Sequence, residues 1–210
     1  MFDFFVKNRA QIVSLTVEHI WLVATAMLIA IVAGVPLGIL ISRRDWLRKP
    51  VLGSVNIIQT IPSLALFGFL LPLPWLGSRA ERLAIAALAA YALLPIVRNT
   101  YTGILGIDPA VREAAVGMGL NSRQMLWKVE LPLTAPFIFS GIRIATVTAI
   151  GVATIAAAVG AGGLGEFIFR GVAMVNNQLI LAGAVPAAVL AIFADVALGF
   201  IERRLQHPKI

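Results

Sequence analysis

The sequence has no cysteine, which removes disulfides, zinc–thiolate sites, iron–sulfur clusters and thiol nucleophiles from consideration. Histidine is nearly as scarce. Its two copies, His19 and His207, stand near opposite ends of the chain, a separation that argues against a shared metal site or a catalytic pair, and neither metal nor cofactor is expected. Charge is sparse: Asp, Glu, Lys and Arg together make up 13% of 210 residues, against ~25% in an ordinary soluble domain. No nucleophile, base and orienting group occur together, so nothing marks an enzyme. Asp3, Lys7, Arg9, Glu18 and His19 interrupt the first apolar residues, which leaves no secretory signal pattern, and the N-terminus is expected to be retained. Internal repeats and low-complexity segments are also lacking.

What the chain has in quantity is hydrocarbon. Hydrophobic residues are 60% of it and the mean hydropathy is +0.93, so the bilayer, and hence membrane lipid, is the expected solvent. The net charge of +7 comes from Lys and Arg scattered between apolar runs and not gathered on a soluble module, so nucleic acid is not an expected partner.

The runs from Ile20 to Ile41, Val51 to Leu71, Leu83 to Ile104, Thr134 to Val159 and Leu179 to Ile201 each meet the ~20 residues a helix needs to cross a hydrocarbon core. The fold class expected is an all-α membrane protein, a single transmembrane domain over residues 1–210 with five spans. Basic residues set its orientation, because they accumulate on the cytoplasmic side. Arg43, Arg44, Arg48, Lys49, Arg98, Arg112, Arg123, Lys128, Arg143, Arg203, Arg204 and Lys209 fall on one side, against Lys7, Arg9, Arg79, Arg82 and Arg170 on the other. The N-terminus is therefore expected outside and the C-terminus inside, with Trp21 and Trp75 near the outer interface and Trp46 and Trp127 near the inner one. Gly34 with Gly38, Ala86 with Ala90 and Ala153 with Ala157 put small residues one turn apart, where helices can approach closely.

The longest polar interruption, Gly106 to Leu133, is the cytoplasmic loop between spans three and four. Asp108 followed by Pro109 reads as an N-cap with proline at the first helical position. The helix should run through Arg112, Glu113, Ala114 and Ala115 to Gly117 or Gly119, either of which can take the left-handed turn that ends it. Asn121 and Gln124 have capping-box spacing for a second helix. The expected result is an L-shaped pair of short helices, with Leu131 and Pro132 closing the loop.

Glu113, Ala114, Ala115, Gly119, Val129, Leu131 and Pro132 together resemble the EAA loop of type I ABC-importer permeases, with Val129 where that family usually has isoleucine. The resemblance implies a multi-pass protein of the bacterial inner membrane whose loop is a coupling helix. This helix docks in cytoplasmic ABC ATPase subunits, and ATP-driven closure of those subunits rocks the permease between inward-facing and outward-facing states. It also implies a second permease copy or a homologous permease, an extracytoplasmic substrate-binding protein, and no hydrolysis by this chain. Three further stretches, Ile58 to Leu66 (IQTIPSLAL), Tyr91 to Gly103 (YALLPIVRNTYTG) and Val159 to Gly171 (VGAGGLGEFIFRG), are similar to permeases that import osmoprotectants such as glycine betaine, carnitine and choline. A type I importer of another small, amino acid-like solute remains an alternative.

Polar residues inside spans usually face the bundle interior, which makes Gln59, Thr60, Ser63 and Asn99 candidates to line a translocation path. Tyr91 would add an aromatic surface for quaternary ammonium groups. Each has a plainer reading as an interhelical hydrogen bond. Pro62 and Pro95 interrupt their helices, either to free carbonyls that line a path or as plain kinks. Gly160, Gly162 and Gly165 match GxGxxG, but no strand precedes them and no acidic residue follows about twenty positions on, so a dinucleotide site is rejected. A re-entrant or capping turn at the outer gate, or against the binding protein, is expected instead. Asp195 lies inside the last span. A proton-coupled secondary carrier would use it, whereas a structural role would pair it with Arg98 or Arg143.

Overall fold

In a computed structural model of the chain, residues 6–206 are described. Asp3, His207 and Lys209, which entered the reading of the sequence, lie outside them. Every regular element among the described residues is helical. The helices are α1 (Arg9–Arg43), α2 (Asp45–Thr60), α3 (Ser63–Leu70), α4 (Pro74–Gly77), α5 (Ala80–Leu105), α6 (Pro109–Gly117), α7 (Ser122–Met125), α8 (Leu131–Ala156), α9 (Gly165–Ala173) and α10 (Asn177–Gln206). A π-helical stretch, Leu126–Glu130, joins α7 to α8.

Helix α5 is the centre of the bundle, packed between α1 and α8, and α10 lies on the far side of α8. Small residues set these approaches. A Cβ on Gly34 would stand 2.9 Å from Ile96 Cγ2, and one on Gly38 would stand 2.6 Å from Thr100 Cβ. The expected GxxxG step is thus the seam between α1 and α5. Across the other seam, Gly141 of α8 leaves room for the Pro95 carbonyl and the Asn99 side chain. Ala86 and Ala90 are only half-buried, and α5 uses the fully buried Ala84 and Ala87 instead. Ala153 is fully buried and Ala157 half-buried. The principal core joins Leu22 and Met27 of α1, Phe67 of α3, Leu88 and Ile96 of α5, and Ala149 and Ala153 of α8.

The helices depart from the expected spans in physically clear ways. Helix α1 starts at Arg9, ahead of the expected Ile20: it keeps Glu18 on an exposed face and buries His19 fully, with Nε2 3.1 Å from the Ile150 carbonyl. The second span is broken. Helices α2 and α3 meet at 105°, since Ile61, the residue before Pro62, takes extended backbone (φ −68°, ψ 128°) as steric conflict with the proline ring demands. Four helices are each long and apolar enough to cross a membrane, and the bent pair makes a fifth span if counted as one.

The loop before α8 is shorter than expected. Residues Ser122–Val159 form one continuous helical rod, so Leu131 and Pro132 lie within a helix and do not close a loop, and the second short helix is the first turns of span four.

Candidate functional site

The helix α6 forms where its caps dictate. The Asp108 carboxylate accepts from the Ala110 N–H at 2.9 Å, with Pro109 in the first turn, where its missing donor costs nothing. At the other end Gly119 is left-handed (φ +80°), and the Leu120 N–H returns to the Ala115 carbonyl at 3.1 Å, closing the last turn. Asn121 and Gln124 then form the capping box reciprocally: Gln124 N to Asn121 Oδ1 is 2.9 Å and Asn121 N to Gln124 Oε1 is 3.0 Å.

These caps present one face outward. Glu113 and Ala114 are exposed, while Ala115 is 2% exposed and packs inward. Val111, Val116 and Met118 are exposed beside them, an apolar surface on a polar segment that reads as a contact site. Val129 and Leu131 are half-buried and Pro132 is exposed, about two to three turns into the long rod at 3.6 residues per turn. Pro132 has no N–H to give to the preceding turn. The π-helical turn accommodates this, with the Leu131 N–H reaching back to the Leu126 carbonyl. Such turns inside helices often sit at functional sites.

Below α6 lies a residue that reading the sequence missed. Glu130 is 1% exposed and pairs with both Arg43, at the end of α1, and Arg112, on α6, the latter at 3.4 Å between Nε and Oε1. Arg112 also donates to the Ile104 carbonyl at the end of α5. One buried carboxylate therefore ties together α1, α5, α6 and the rod that contains α8. The signal was present in the spacing: Thr134, Ile138, Gly141, Ala145 and Ala149 are the buried face of α8, and stepping back four from Thr134 reaches Glu130.

The path candidates divide. Gln59, Thr60 and Ser63 surround the break between α2 and α3, and Tyr91 joins them by donating its hydroxyl to the Ile61 carbonyl that the break sets free. Tyr91 is 7% exposed, so its ring is part of the core and not the aromatic surface expected of it. Thr60 bonds back to the Ile57 carbonyl at 2.7 Å. Asn99 stands apart at the crossing of α5 and α8, bonded to the Pro95 carbonyl at 2.8 Å.

The glycine-rich turn after α8 is left-handed at Gly160, Gly162 and Gly163. It faces a carboxylate: the Gly163 N–H donates to Glu18 Oε2 at 3.3 Å, and a Cβ on Gly163 would stand 3.1 Å from His19 Nδ1. A turn whose N–H is already turned toward an anion on α1 is a packing device and not a phosphate cradle. Asp195 has its partner. Arg143 holds it by a bidentate bond, Nε to Oδ1 at 2.6 Å and Nη2 to Oδ2 at 3.1 Å, and extends Nη1 to Glu202 Oε2 at 3.3 Å. Arg98 takes no part in that pairing. Among the described residues no cluster of side chains is suited to hold a metal ion.

A model of the family described as "binding-protein-dependent transport system inner membrane component" matches residues 15–207. The osmoprotectant import permease protein OsmW of Salmonella typhimurium is 46% identical over 194 residues, covering 91% of this chain and 90% of its own length. The choline transport system permease protein OpuBB of Bacillus subtilis is 42% identical, with 97% and 92% covered. In three dimensions the chain resembles inward-facing forms of the MetNI methionine ABC transporter, with a TM-score of 0.80 at 25% identity, covering 90% of this chain and 93% of that one. It shares its fold with an amino acid ABC transporter crystallised with histidines, at a TM-score of 0.78 and 18% identity, with 97% and 98% covered.

Proposed function

This chain belongs to the family of binding-protein-dependent transport system inner membrane components, and from that premise we propose that it is the permease subunit of an ATP-driven importer of osmoprotectants such as glycine betaine, carnitine or choline. It lies in the bacterial inner membrane with its N-terminus outside. The observation that carries the mechanism is the capped helix α6, with Glu113 and Ala114 exposed beside an apolar strip and its base fixed by Glu130. A cytoplasmic ATPase subunit that grips this helix moves α1, α5 and α8 with it, because Arg43, Arg112 and the Ile104 carbonyl all meet at its base. Two ATPase subunits closing around ATP then drive two permease copies between inward-facing and outward-facing states. An extracytoplasmic binding protein delivers the solute.

The substrate assignment rests on relatives named for osmoprotectant, choline and carnitine transport at 41–46% identity over more than nine-tenths of the chain. The break around Pro62, with Gln59, Thr60 and Ser63 beside it, is the region of irregular backbone suited to line a route, since such backbone at membrane depth must be buried or wet. A proton-coupled carrier working through Asp195 is the weaker alternative, because both carboxylate oxygens are engaged by Arg143.

The test is uptake of labelled glycine betaine and choline into proteoliposomes that hold the permease with its ATPase and binding protein. Uptake is expected only when ATP reaches the ATPase face, and uptake that ignores ATP but collapses with an uncoupler overturns the importer reading. Glu113→Arg and Gly119→Pro should each abolish uptake while membrane insertion and the helical circular-dichroism signal persist. Normal uptake by both variants removes α6 from the coupling role.

A further inference from the structure

Arg143, Asp195 and Glu202 are charged side chains in helices long and apolar enough to span a membrane. Measured from the expected span ends at Thr134 and Ile201, Arg143 lies 9 residues in and Asp195 6 residues in, about 9–14 Å along each helix at 1.5 Å per residue, inside a hydrocarbon core of ~30 Å, with Glu202 just beyond the span end. Yet part of the cluster is open, Glu202 being the covered member at 14%. The side chains of Arg143 and Asp195 are 34% and 43% exposed. Charge at this depth that is not sealed in protein must face water or a partner and not lipid.

The opening is a shallow groove on the surface of the described helices. A cavity of about 380 Å³ is lined by Ser140, Arg143, Thr148 and Asp195, with Ile144 and Val147 as its apolar wall, a volume within the ~300–1,000 Å³ usual for ligands. A second cavity shares Ser140 with it and adds Phe137 and Glu202. The guanidinium uses three N–H groups on Asp195 and Glu202, out of the five that arginine carries. Its remaining donors match a carboxylate, which a planar fork binds more specifically than an ammonium does. The two carboxylates exceed the single cation by one negative charge, and Phe137 is 48% exposed. A quaternary ammonium group has no N–H and is held by excess negative charge and by aromatic faces. Gly199 lies directly against the guanidinium, where a Cβ would stand 3.2 Å from Nη1, so the absence of a side chain there lets Arg143 pack on the backbone of α10.

We propose that Arg143, Asp195 and Glu202, with Phe137, form a transit site in the translocation path for small zwitterions that carry a carboxylate and a quaternary ammonium group. The arriving solute exchanges partners with the ion cluster: its carboxylate takes open donors of Arg143 while its ammonium end lies toward Asp195, Glu202 and the Phe137 ring. No bond is made or broken, and the site is restored when the solute leaves. Charge alone admits a plain cation such as choline, whereas only a zwitterion uses the fork of Arg143. This inference rests on the osmoprotectant reading above.

The experiment compares maximum uptake rates of glycine betaine and choline in the reconstituted complex, each with saturating loaded binding protein so that the affinity of that protein drops out, with ATP turnover followed in parallel. Arg143→Lys keeps the charge and loses the fork. The ratio of betaine to choline rates should fall about tenfold, the order expected for losing one hydrogen bond to a charged group. Glu202→Gln keeps the bond between Arg143 and Asp195 and should move the ratio the other way, by slowing choline more than betaine. If Arg143→Lys does not assemble, Glu202→Gln decides alone. An unchanged ratio in the assembled variants, whether both rates fall together or neither changes, overturns the transit site and leaves the importer intact. A wild-type complex that carries neither solute, while its ATP turnover still responds to a loaded binding protein, overturns the osmoprotectant reading and this inference with it.

Discussion

Two ion clusters in this molecule have opposite stoichiometry, and only one of them covers its minority charge. At the base of helix α6 one carboxylate, Glu130, sits between the guanidinium groups of Arg43 and Arg112, and it is 1% exposed. Deeper along the helices one guanidinium, Arg143, sits between the carboxylates of Asp195 and Glu202 and stays open to a cavity. A sealed carboxylate cannot exchange partners without being stranded in a low-dielectric interior, so the first cluster fixes position. An open guanidinium with donors to spare can exchange partners at little penalty, so the second can handle a passing solute. The same residue types thus build a joint in one place and a receptor in another, and what separates them is whether the minority charge is covered.

The sealed cluster gives the largest expected effect. Replacing both cations, Arg43→Ala with Arg112→Ala, leaves Glu130 buried with no counter-charge. Breaking a buried pair in this way costs about 3–5 kcal/mol. Thermal unfolding of the purified permease should show a loss of that order, and ATP turnover in the assembled complex should cease to respond to the binding protein. A loss below about 1 kcal/mol, the value of an exposed pair, would remove the distinction between the two clusters.

A smaller effect is expected from the open cluster. Glu202→Gln removes one of two carboxylates from a guanidinium that keeps its bidentate bond to Asp195. Its unfolding midpoint should shift less than that of the arginine double variant measured in the same detergent. A shift as large as the double variant's would make the open cluster a second structural joint.

Much of this was legible in the sequence where the causes are local. The caps of α6, Asp108 with Pro109 and Gly119, and the reciprocal pair Asn121 and Gln124 depend on residues within a few positions of one another, and the structure forms each as its spacing predicts. The Gly34 and Gly38 step was visible as a close approach, but its partners Ile96 and Thr100 were not, because no local rule says which helix crosses which. Asp195 had two credible cations, and only the packing of α10 on α8 selects Arg143. Glu130 was missed for a different reason. The loop was carried as far as Leu133, and a carboxylate in a polar loop is presumed solvated. Once the helix is extended back to Ser122, the same carboxylate falls on the buried face. Pro62 was recognised as an interruption, yet nothing in the sequence says that the freed carbonyl of Ile61 is met by Tyr91 from another helix.

That bond allows the comparison to be extended to a contact with no charge. Tyr91 and Ile61 join α5 to the break between α2 and α3 by one neutral hydrogen bond, and the ring is already packed in the core. Tyr91→Phe keeps the ring and removes only the donor. A hydrogen bond between membrane helices averages about 0.6 kcal/mol, because the separated helices find other partners, so the stability loss should be the smallest of the three. If the hydroxyl only staples the break, glycine betaine uptake should persist with a modest change in rate, since the bend itself is set by Pro62 and the backbone of Ile61. A loss of several kcal/mol would instead make Tyr91 the element that holds the bend. Neutral contacts would then rank with the sealed ion cluster in fixing the architecture, and exposure alone would no longer separate joint from receptor.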